Sequence, residues 1–470
     1  MRMNLLDICR QLETICIGMT PRQMLSSPTG AAIDSRAVKS GDLFFCLPGE
    51  RADGHDFAAA AVENGAIAVI GLRNPFGGES PVPFFEVPDV TRALGILAIG
   101  HRMSAKARVV GITGTSGKTS VKEALAFVLS EHGRTEKNHL NLNNQIGLPL
   151  SMLNADEDAD YWVMEAGISR AKDMDELGNI LRPDVALILN AGAGHIQGLG
   201  DKGVAHYKAK LLAYLARNGQ AIVNADYPDL LLEARVHCPE CITFSAHDDH
   251  APYSAFYNGP ESAFKGRYSL SLKGKTLEVA APFQGDFGAE NVAAIGAVAH
   301  LLGLADGEIA HGLAKAKPPA QRFSTSIVGP FLIIDDSYNA NPLSMERMTN
   351  AAADMAEERC EGLFLVLGEM GELGEGSANF HEELGKHLAR LDPLGVFWIG
   401  GYGSDVARGL DMGNYAGLWM PVADEAAFIA ALQDAGMDAG VVLIKGSRSN
   451  RLERLVAVVT KLAKEGLDAL

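Results

Sequence analysis

Short apolar runs that alternate with helical segments dominate the middle of the chain. Residues 109–113 form a run typical of a buried strand, and apolar side chains keep helical spacing over 121–129. Similar apolar runs follow at 162–165, 185–190 and 221–224. Because strands covered on both faces are apolar throughout, this pattern predicts a largely parallel sheet with helices on its faces.

The first hundred residues show a different pattern and form a unit of their own. Apolar runs at 43–47 and 66–71 alternate with turn-forming clusters, and residues 56–64 are predicted as a helix. A second predicted helix, with apolar side chains on one face, covers 91–104. It leads directly into the first central strand.

The last part of the chain repeats the strand–helix alternation after a break. Residues typical of β-structure at 268–281 are followed by a helix of small residues at 291–302 and a proline-containing linker at 315–319. Further strands are predicted at 332–335, 363–367, 396–400 and 441–444. We therefore expect an α/β protein of three domains, with boundaries at 1–105, 106–316 and 317–470.

Composition and charge argue against several classes of function. The 470 residues include 41 basic and 58 acidic side chains, a net charge of −17. This balance argues against a nucleic-acid partner, although local backbone N–H groups can still hold a nucleotide. The apolar runs are shorter than the roughly 18 residues of a spanning helix, so we expect no membrane insertion. The N-terminus lacks the apolar core of a signal peptide, and six cysteines do not make a disulfide framework, which favours a reduced, cytoplasmic protein.

One cysteine pair, Cys238 and Cys241 beside His237, has the spacing of half a zinc site. A structural zinc site needs four ligands, and the sequence contains no second cysteine pair of this spacing. We therefore interpret this segment as a surface turn.

The segment between the first central strand and its helix carries the most specific chemical motif. Gly117, Lys118 and Thr119 match the end of the motif G-x-x-x-x-G-K-[ST], and Gly111 lies one residue further upstream than the first glycine of that motif. The glycines allow a tight turn whose N–H groups converge on phosphate oxygens, while the lysine reaches the β/γ-phosphates and the threonine hydroxyl can ligate Mg²⁺. A glycine-rich turn without a ligand is the alternative, but strand, motif and amphipathic helix in this order favour ATP binding.

Two polar residues at later strand ends extend this prediction. Glu165 ends the strand at 162–165, where an ATPase usually places an acid for Mg²⁺. His195 lies just beyond the strand at 185–190, where doubly wound sheets bind ligands. The alternatives are an exposed strand-end carboxylate and an ordinary loop histidine.

With these pieces placed, the sequence resembles the Mur ligase family, the ATP-dependent amide-forming ligases of peptidoglycan precursor synthesis, along nearly its whole length. The resemblance rests on Glu165, His195, Arg322 and the runs at 114–120, 141–147, 209–210 and 445–448. Within the family, the sequence is most similar to the members that join D-alanyl-D-alanine to UDP-N-acetylmuramoyl-tripeptide. This similarity rests on the segments 34–36, 41–44, 335–342 and 367–374.

The resemblance implies three domains with separate tasks. A small N-terminal α/β domain would hold the UDP-sugar end, a central P-loop ATPase with a mostly parallel sheet would bind ATP, and a C-terminal Rossmann-like domain would carry the dipeptide. The reaction would pass through an acyl phosphate and use two Mg²⁺ ions. The resemblance also implies that CO₂ carbamylates Lys210, giving an anionic ligand for the second Mg²⁺, with Lys208 as its unmodified neighbour.

The family's site residues then fall on numbered positions of this chain. The implied nucleotide-binding residues are Gly114, Thr115, Ser116, Gly117, Lys118, Thr119, Ser120, Asn291 and Arg322. The implied metal ligands are Thr119, Glu165, His195 and Lys210, and the implied catalytic residues are Lys118, His195 and Lys210. The implied substrate-binding residues are Ser35, Arg36, Asn143, Asn144, Asp336, Asn339, Lys445, Ser447 and Arg448.

Some positions depart from the family pattern, and some functions stay open. Glu290 and Ala294 stand where the family often has histidine and a second asparagine. A folylpolyglutamate-type ligase would not need the N-terminal unit, and a non-catalytic paralogue would lack the loop lysine, Glu165 or the run at 445–448. The third residue of the tripeptide, meso-diaminopimelate or lysine, is left open, and we expect a monomer.

Overall fold

The structure, a computed structural model, describes residues 1–49, 51–192, 196–199 and 202–465. In these ranges three β-sheets of five, nine and six strands follow one another along the chain. Helices pack on the sheets, which confirms the α/β class predicted from the hydrophobic pattern. Among the described residues, no helix combines the length and the apolar character needed to cross a membrane.

The first sheet is small and mostly parallel. Its strands are β1 Cys16–Ile17, β2 Ala31–Ala32, β3 Leu43–Phe45, β4 Ala68–Gly71 and β5 Phe84–Glu86. Its helices are α1 Leu5–Gln11, α2 Pro21–Met24, α3 Ala58–Glu63 and α4 Val90–Ser104. The strand order is β1-β5-β4-β3-β2, with β1 antiparallel to β5 and the other neighbours parallel.

Helix α4 ties this first unit to the second sheet. Its apolar face, with Leu94, Leu97 and Ala98, is buried in a cluster that includes residues of both sheets. At its C-terminal end, Arg102 donates to the carboxylate of Asp184 at 2.8 Å. The helix predicted over 91–104 is therefore confirmed, and it packs on the central sheet as well as on its own.

The second sheet has nine strands and more described helices than either of the other two sheets. Its strands are β6 Arg108–Thr113, β7 Thr135–Lys137, β8 Tyr161–Glu165, β9 Val185–Ile188, β10 Gln220–Asn224, β11 Ile242–Ser245, β12 Tyr253–Ser262, β13 Lys265–Leu272 and β14 Lys275–Ala281. Its helices are α5 Lys118–Ser130, α6 Gly147–Leu153, α7 Asp173–Leu181, α8 Ile196–Leu199, α9 Gly203–Ala209, α10 Pro228–His237, α11 Gly285–Leu301 and α12 Asp306–Lys315.

The order of these strands places β6 in the parallel half of the sheet. The order is β14-β13-β12-β11-β10-β9-β6-β8-β7, parallel from β7 to β12 and antiparallel from β12 to β14. Helices α5 and α11 pack on one face, and α4, α6 and α7 pack on the other. Because both faces are covered there, the inner strands β6, β8, β9 and β10 are mainly apolar and buried, as the sequence pattern predicted.

The third sheet is parallel except at one edge. Its strands are β15 Ser324–Val328, β16 Phe331–Asp336, β17 Leu363–Gly368, β18 Gly395–Ile399, β19 Leu418–Val422 and β20 Gly440–Lys445. Its helices are α13 Pro342–Arg359, α14 Ser377–Leu391, α15 Gly403–Met412, α16 Glu425–Ala435 and α17 Glu453–Glu465. The strand order is β15-β16-β20-β17-β18-β19, with β15 antiparallel to β16.

The four strands predicted for this sheet are confirmed, and the two that the prediction missed are its edges. β15 is rich in serine and threonine, and β19 is only partly buried. The edge strand β15 lacks the continuous apolar run that identified the inner strands, whereas β19 is apolar but contains Pro421, a residue that sheets accept mainly in edge strands.

Candidate active site

A cavity of about 370 Å³ lies between the carboxyl edges of the second and third sheets. Its lining includes many of the residues that the sequence predicted: Thr115, Ser116, Gly117, Lys118, Thr119, Ser120, Asn143, Asn144, Glu165, Asn291, Arg322, Asp336, Asn339 and Lys445. The two sheets therefore bring the phosphate loop and the end of the C-terminal sheet to one place.

The phosphate loop follows β6 and opens α5, the order that the sequence predicted. Gly117 has a φ of 82°, a left-handed conformation that suits glycine. A Cβ added there would lie 3.0 Å from Oδ1 of Asn291, which places this asparagine of α11 directly against the loop. The backbone N–H groups of Thr115 and Ser116 both donate to Oδ1 of Asn190, each at 2.9 Å. Asn190 thus orients the loop, a role that its place at the end of a predicted strand did not reveal.

Lys118 is folded back onto the loop that it belongs to. Its Nζ donates to the carbonyl oxygen of Gly114 at 2.9 Å. Burial lowers the pKa of Lys118, the charge of Glu165 opposes this, and the charge of Arg322 adds to it. Lys118 lines the cavity, and among the described residues its ammonium group has only carbonyl oxygens as hydrogen-bond acceptors, which a phosphate oxygen can replace.

The carboxylate of Glu165, at the end of β8, accepts hydrogen bonds from two side chains. Oγ1 of Thr119 donates to its Oε2 at 2.9 Å, and Nδ2 of Asn143 donates to its Oε1 at 2.7 Å. Its backbone N–H donates to Oδ1 of Asn138 at 2.9 Å, so the carboxylate is fixed from both sides. A hydroxyl and a carboxylate at this spacing are the oxygen donors that Mg²⁺ prefers, and the residues fit such an ion.

The structure places Lys208, and not Lys210, against the phosphate loop. Nζ of Lys208 is buried and donates to the carbonyl oxygen of Gly114 at 2.8 Å. Burial lowers the pKa of Lys208 well below its usual value, and the charge of Lys118 lowers it further. Nζ of Lys210 instead donates to the carboxylate of Asp175 at 2.6 Å, on another side of the helix.

Lys208, rather than Lys210, is therefore the lysine in contact with the phosphate loop, and carbamylation of Lys210 stays a prediction. Helix α9 ends at Ala209, and Lys210 begins the 3-10 turn Lys210–Tyr214. Two residues apart on a helix correspond to a rotation of about 200°, so only one of the two lysines can face the loop. His195, the other predicted ligand from this stretch, lies outside the described residues.

The C-terminal wall of the cavity is built around a buried ion pair. Asp336 ends β16 and Lys445 ends β20, and the two strands pair so that these residues lie side by side. Nζ of Lys445 donates to Oδ2 of Asp336 at 2.5 Å and to the carbonyl oxygen of Asn339 at 2.8 Å. Burial lowers the pKa of Lys445, and the carboxylate of Asp336 opposes that shift.

Arg322 reaches from the start of the C-terminal part to the phosphate loop. Its Nη2 donates to Oγ1 of Thr119 at 3.4 Å, and its guanidinium lies 4.0 Å from the ring centre of Tyr338. The arginine is thereby held at the mouth of the loop, where it adds positive charge.

Several predicted substrate residues make structural contacts instead of lining the cavity. Oγ of Ser447 accepts from the backbone N–H of Gly371 at 2.7 Å, which joins the run at 445–448 to the run at 367–374. Arg448 pairs with Glu453 at 3.2 Å. Neither Ser447 nor Arg448 is among the residues that line the cavity.

The remaining predicted substrate-binding residues are Asn144 in the central part of the chain and Ser35 and Arg36 in the first unit. Oδ1 of Asn144 accepts from the N–H of Gly147 at the start of α6 at 2.8 Å, so this cavity residue also orders the loop. Ser35 and Arg36 begin a 3-10 turn, and the exposed Arg36 pairs with Asp34 at 2.6 Å. These two are not part of the cavity lining.

Comparison with known proteins gives three family matches in succession. The models described as "Mur ligase family, catalytic domain", "Mur ligase middle domain" and "Mur ligase, glutamate ligase domain" match residues 29–102, 112–299 and 321–448. The UDP-N-acetylmuramoyl-tripeptide--D-alanyl-D-alanine ligase of Escherichia coli (strain K12) is 33% identical over 428 residues, which cover 90% of this chain and 92% of that protein.

Solved structures agree over nearly the whole length. A crystal structure of MurF from Acinetobacter baumannii superposes with a TM-score of 0.84 at 28% identity, covering 97% of this chain and 98% of that one. The MurF ligase from Thermotoga maritima in complex with ADP has a TM-score of 0.81 at 29% identity, covering 96% and 99%. On the strength of the E. coli relative and the three family matches, the chain belongs to the Mur ligase family.

Proposed function

We propose that this chain is an ATP-dependent ligase that joins D-alanyl-D-alanine to UDP-N-acetylmuramoyl-tripeptide in peptidoglycan precursor synthesis. The observation that carries the proposal is the cavity in which the phosphate loop faces the buried pair of Asp336 and Lys445. The name of the E. coli relative supports the two substrates, and the ADP-bound structure from T. maritima supports the nucleotide.

The reaction requires positive charge at the phosphate loop. A carboxylate is a poor electrophile, so the tripeptide carboxylate attacks the γ-phosphate of ATP, which forms an acyl phosphate and releases ADP. The dipeptide amine then attacks the acyl carbon, forms the amide, and releases inorganic phosphate and a proton. Two anions must approach each other in the first step, and preorganised cations and N–H groups lower that barrier. Lys118 and Arg322 supply the cations, and both line the cavity between the two sheets.

Thr119 and Glu165 are the residues that would hold Mg²⁺. When bound, the ion neutralises phosphate charge and orients the reacting groups. The chain's own contribution is a carboxylate fixed by Thr119 on one oxygen and Asn143 on the other. A second Mg²⁺ and ligation by His195 stay predictions.

Lys208 is the lysine whose surroundings suit a carbamate. Carbamylation by CO₂ requires a neutral amine, and burial next to Lys118 favours the neutral form of Lys208. A carbamate would replace a second cation beside Lys118 with an anion, which removes the repulsion between the two lysines. Nζ of Lys210 instead forms an ion pair with the carboxylate of Asp175, away from Lys118.

The C-terminal sheet would hold the dipeptide, and the first sheet would hold the UDP end. Asp336, Asn339 and Lys445 line the cavity opposite the phosphate loop, at a distance from Ser35 and Arg36 in the first unit. We propose domain boundaries near residues 105 and 316, between the sheets. A non-catalytic paralogue is disfavoured because Lys118, Glu165 and Lys445 are all present.

Product formation tests the proposal directly. The protein is incubated with ATP, Mg²⁺ and UDP-N-acetylmuramoyl-tripeptide, carrying either meso-diaminopimelate or lysine, with and without D-alanyl-D-alanine. We expect ADP release and a UDP-linked pentapeptide by mass spectrometry only when both substrates are present. L-alanyl-L-alanine serves as the matched control dipeptide. Turnover with folate and glutamate, and none with the UDP-tripeptides, would replace this proposal with the folylpolyglutamate-type alternative.

A further inference from the structure

A buried ion pair joins a helix of the central sheet to a helix of the C-terminal sheet. Glu290 lies on α11 and Arg347 lies on α13, and the guanidinium of Arg347 donates to the carboxylate of Glu290. The two side chains are only 8% and 15% exposed. Neither residue is among those that line the cavity, so the pair has no direct part in the chemistry proposed above.

The carboxylate of Glu290 is surrounded by hydrogen-bond donors. Nδ2 of Asn224 donates to its Oε2 at 3.2 Å, and the hydroxyl of Tyr227 donates to its Oε1 at 3.3 Å. The guanidinium of Arg347 contacts the same hydroxyl and the same carboxylate. Three of these four groups belong to the central part of the chain, and Arg347 comes from the C-terminal part.

The pair lies next to cavity residues on both helices. Glu290 immediately precedes Asn291, whose side chain packs against Gly117 of the phosphate loop. On α13, Ser344 and Met348 line the cavity, one on either side of Arg347 in sequence. A contact that fixes these two helices relative to each other therefore fixes the C-terminal wall of the cavity relative to the phosphate loop.

We propose that Glu290 and Arg347 form an interdomain latch that holds α13 over the nucleotide side of the cavity, and that Arg347 is a positioning residue for the ligase reaction. Removing one partner of a buried pair leaves an uncompensated charge, so either substitution favours separation of the helices and hydration of the remaining group. Asp226 and His247 also face Glu290, but the guanidinium already supplies the cation of this cluster. The kinetic part of the inference rests on the proposed function, while the structural part does not.

Two variants and one control separate the latch from a general loss of structure. Arg347→Met and Glu290→Gln each remove one charge at similar volume. Arg359→Met is the control, because Arg359 ends the same helix and pairs with Glu361 inside the C-terminal part. In small-angle X-ray scattering of the ligand-free protein, we expect a larger radius of gyration for both latch variants and the wild-type value for the control.

The KM values for the two substrates distinguish a role of the latch in positioning the C-terminal wall from a role in ATP binding. We expect the KM for D-alanyl-D-alanine to rise at least about tenfold in both latch variants, because a buried charge pair no longer favours the closed arrangement. The KM for ATP should rise less than about threefold, since most loop contacts come from the central sheet. The double variant should be no worse than the worse single variant, because the two charges act as one unit.

Opposite results overturn the latch. Folded single variants with wild-type scattering and wild-type KM for the dipeptide would do so, and so would losses that simply add in the double variant. If Arg347→Met does not fold, Arg347→Lys keeps the charge without the forked contact, and the same two measurements apply to it. If the wild-type protein shows no ligase activity, the proposed function fails, while the scattering comparison still decides the latch.

Discussion

The two sheets that form the cavity each place a buried lysine at the carboxyl edge, but the lysines have different partners. Lys118, from the central sheet, donates to the neutral carbonyl of Gly114 at 2.9 Å. Lys445, from the C-terminal sheet, donates to the carboxylate of Asp336 at 2.5 Å. Burial lowers the pKa of both lysines, and the opposing charge is in direct contact only for Lys445.

This difference indicates that Lys118 is available to bind a ligand, whereas Lys445 acts as a structural clamp, by which we mean that it holds the buried carboxylate of Asp336. A phosphate oxygen is a stronger acceptor than a carbonyl, so an ammonium that rests on carbonyls can exchange them for a phosphate. An ammonium that is already paired gains less from a new anion, and its removal leaves a buried carboxylate unpaired. We therefore expect Lys118 to matter for turnover far more than for stability, and Lys445 to matter for both.

The largest expected effect is the loss of turnover in Lys118→Ala. ADP release should fall by at least about 10³-fold, because one preorganised charge at the γ-phosphate is lost in the transition state. The free energy of unfolding should change by less than about 1 kcal/mol, since only hydrogen bonds to carbonyls are lost. Denaturant titration and ADP release measure the two quantities, with the exposed Lys106→Ala as control. A stable variant with near-normal ADP release would contradict the assignment of the loop.

Unlike Lys118→Ala, Lys445→Met should markedly lower the free energy of unfolding as well as turnover. Breaking a buried ion pair by removing one partner costs about 3–5 kcal/mol, because Asp336 stays buried without its cation. Urea unfolding measures this difference. The double variant Lys445→Met with Asp336→Leu should recover most of the stability without recovering activity. If Lys445→Met is as stable as the wild type, the clamp interpretation is wrong.

Lys208, near the end of α9, and Lys210, just after that helix, are expected to differ in their effect on turnover. Lys208→Ala should lower turnover about 100-fold, because it removes the group that lies against the loop, whereas Lys210→Ala should lower it less than about threefold. A short carboxylic acid in the buffer should partly restore Lys208→Ala if a carbamate normally fills that place. Removal of CO₂ should slow the wild-type enzyme in the same way. If Lys208→Ala has wild-type turnover, Lys208 is not the carbamylated lysine.

The smallest of these effects concerns the metal. Glu165→Gln should raise the Mg²⁺ concentration for half-maximal turnover about tenfold, because the neutral amide is a weaker ligand for a hard cation. The matched control is Glu131→Gln, since Glu131 follows α5 and its side chain interacts with His311. Chelation of Mg²⁺ should stop turnover in every variant. An unchanged Mg²⁺ titration in Glu165→Gln would exclude it as a ligand.

The comparison also shows which parts of the fold could be predicted. The inner strands β6, β8 and β9 were predicted because both of their faces are covered and their sequences are apolar throughout. The edge strand β15 was missed because its sequence is mostly serine and threonine, and β19 was missed because its apolar sequence contains a proline. Asn190, which supports the phosphate loop without lining the cavity, belongs to no local sequence pattern that indicates this role.

By itself, the sequence determined the phosphate loop, because glycines, lysine and helix start lie within one contiguous segment whose local geometry follows from residue type. It also placed Glu165, Asp336 and Lys445 at strand ends, since strand ends can be read from apolar runs. Only the tertiary structure decided that Lys208 faces the loop and Lys210 does not. The direction of a side chain at the end of a helix depends on where that helix ends and on what packs against it, and distant segments set both.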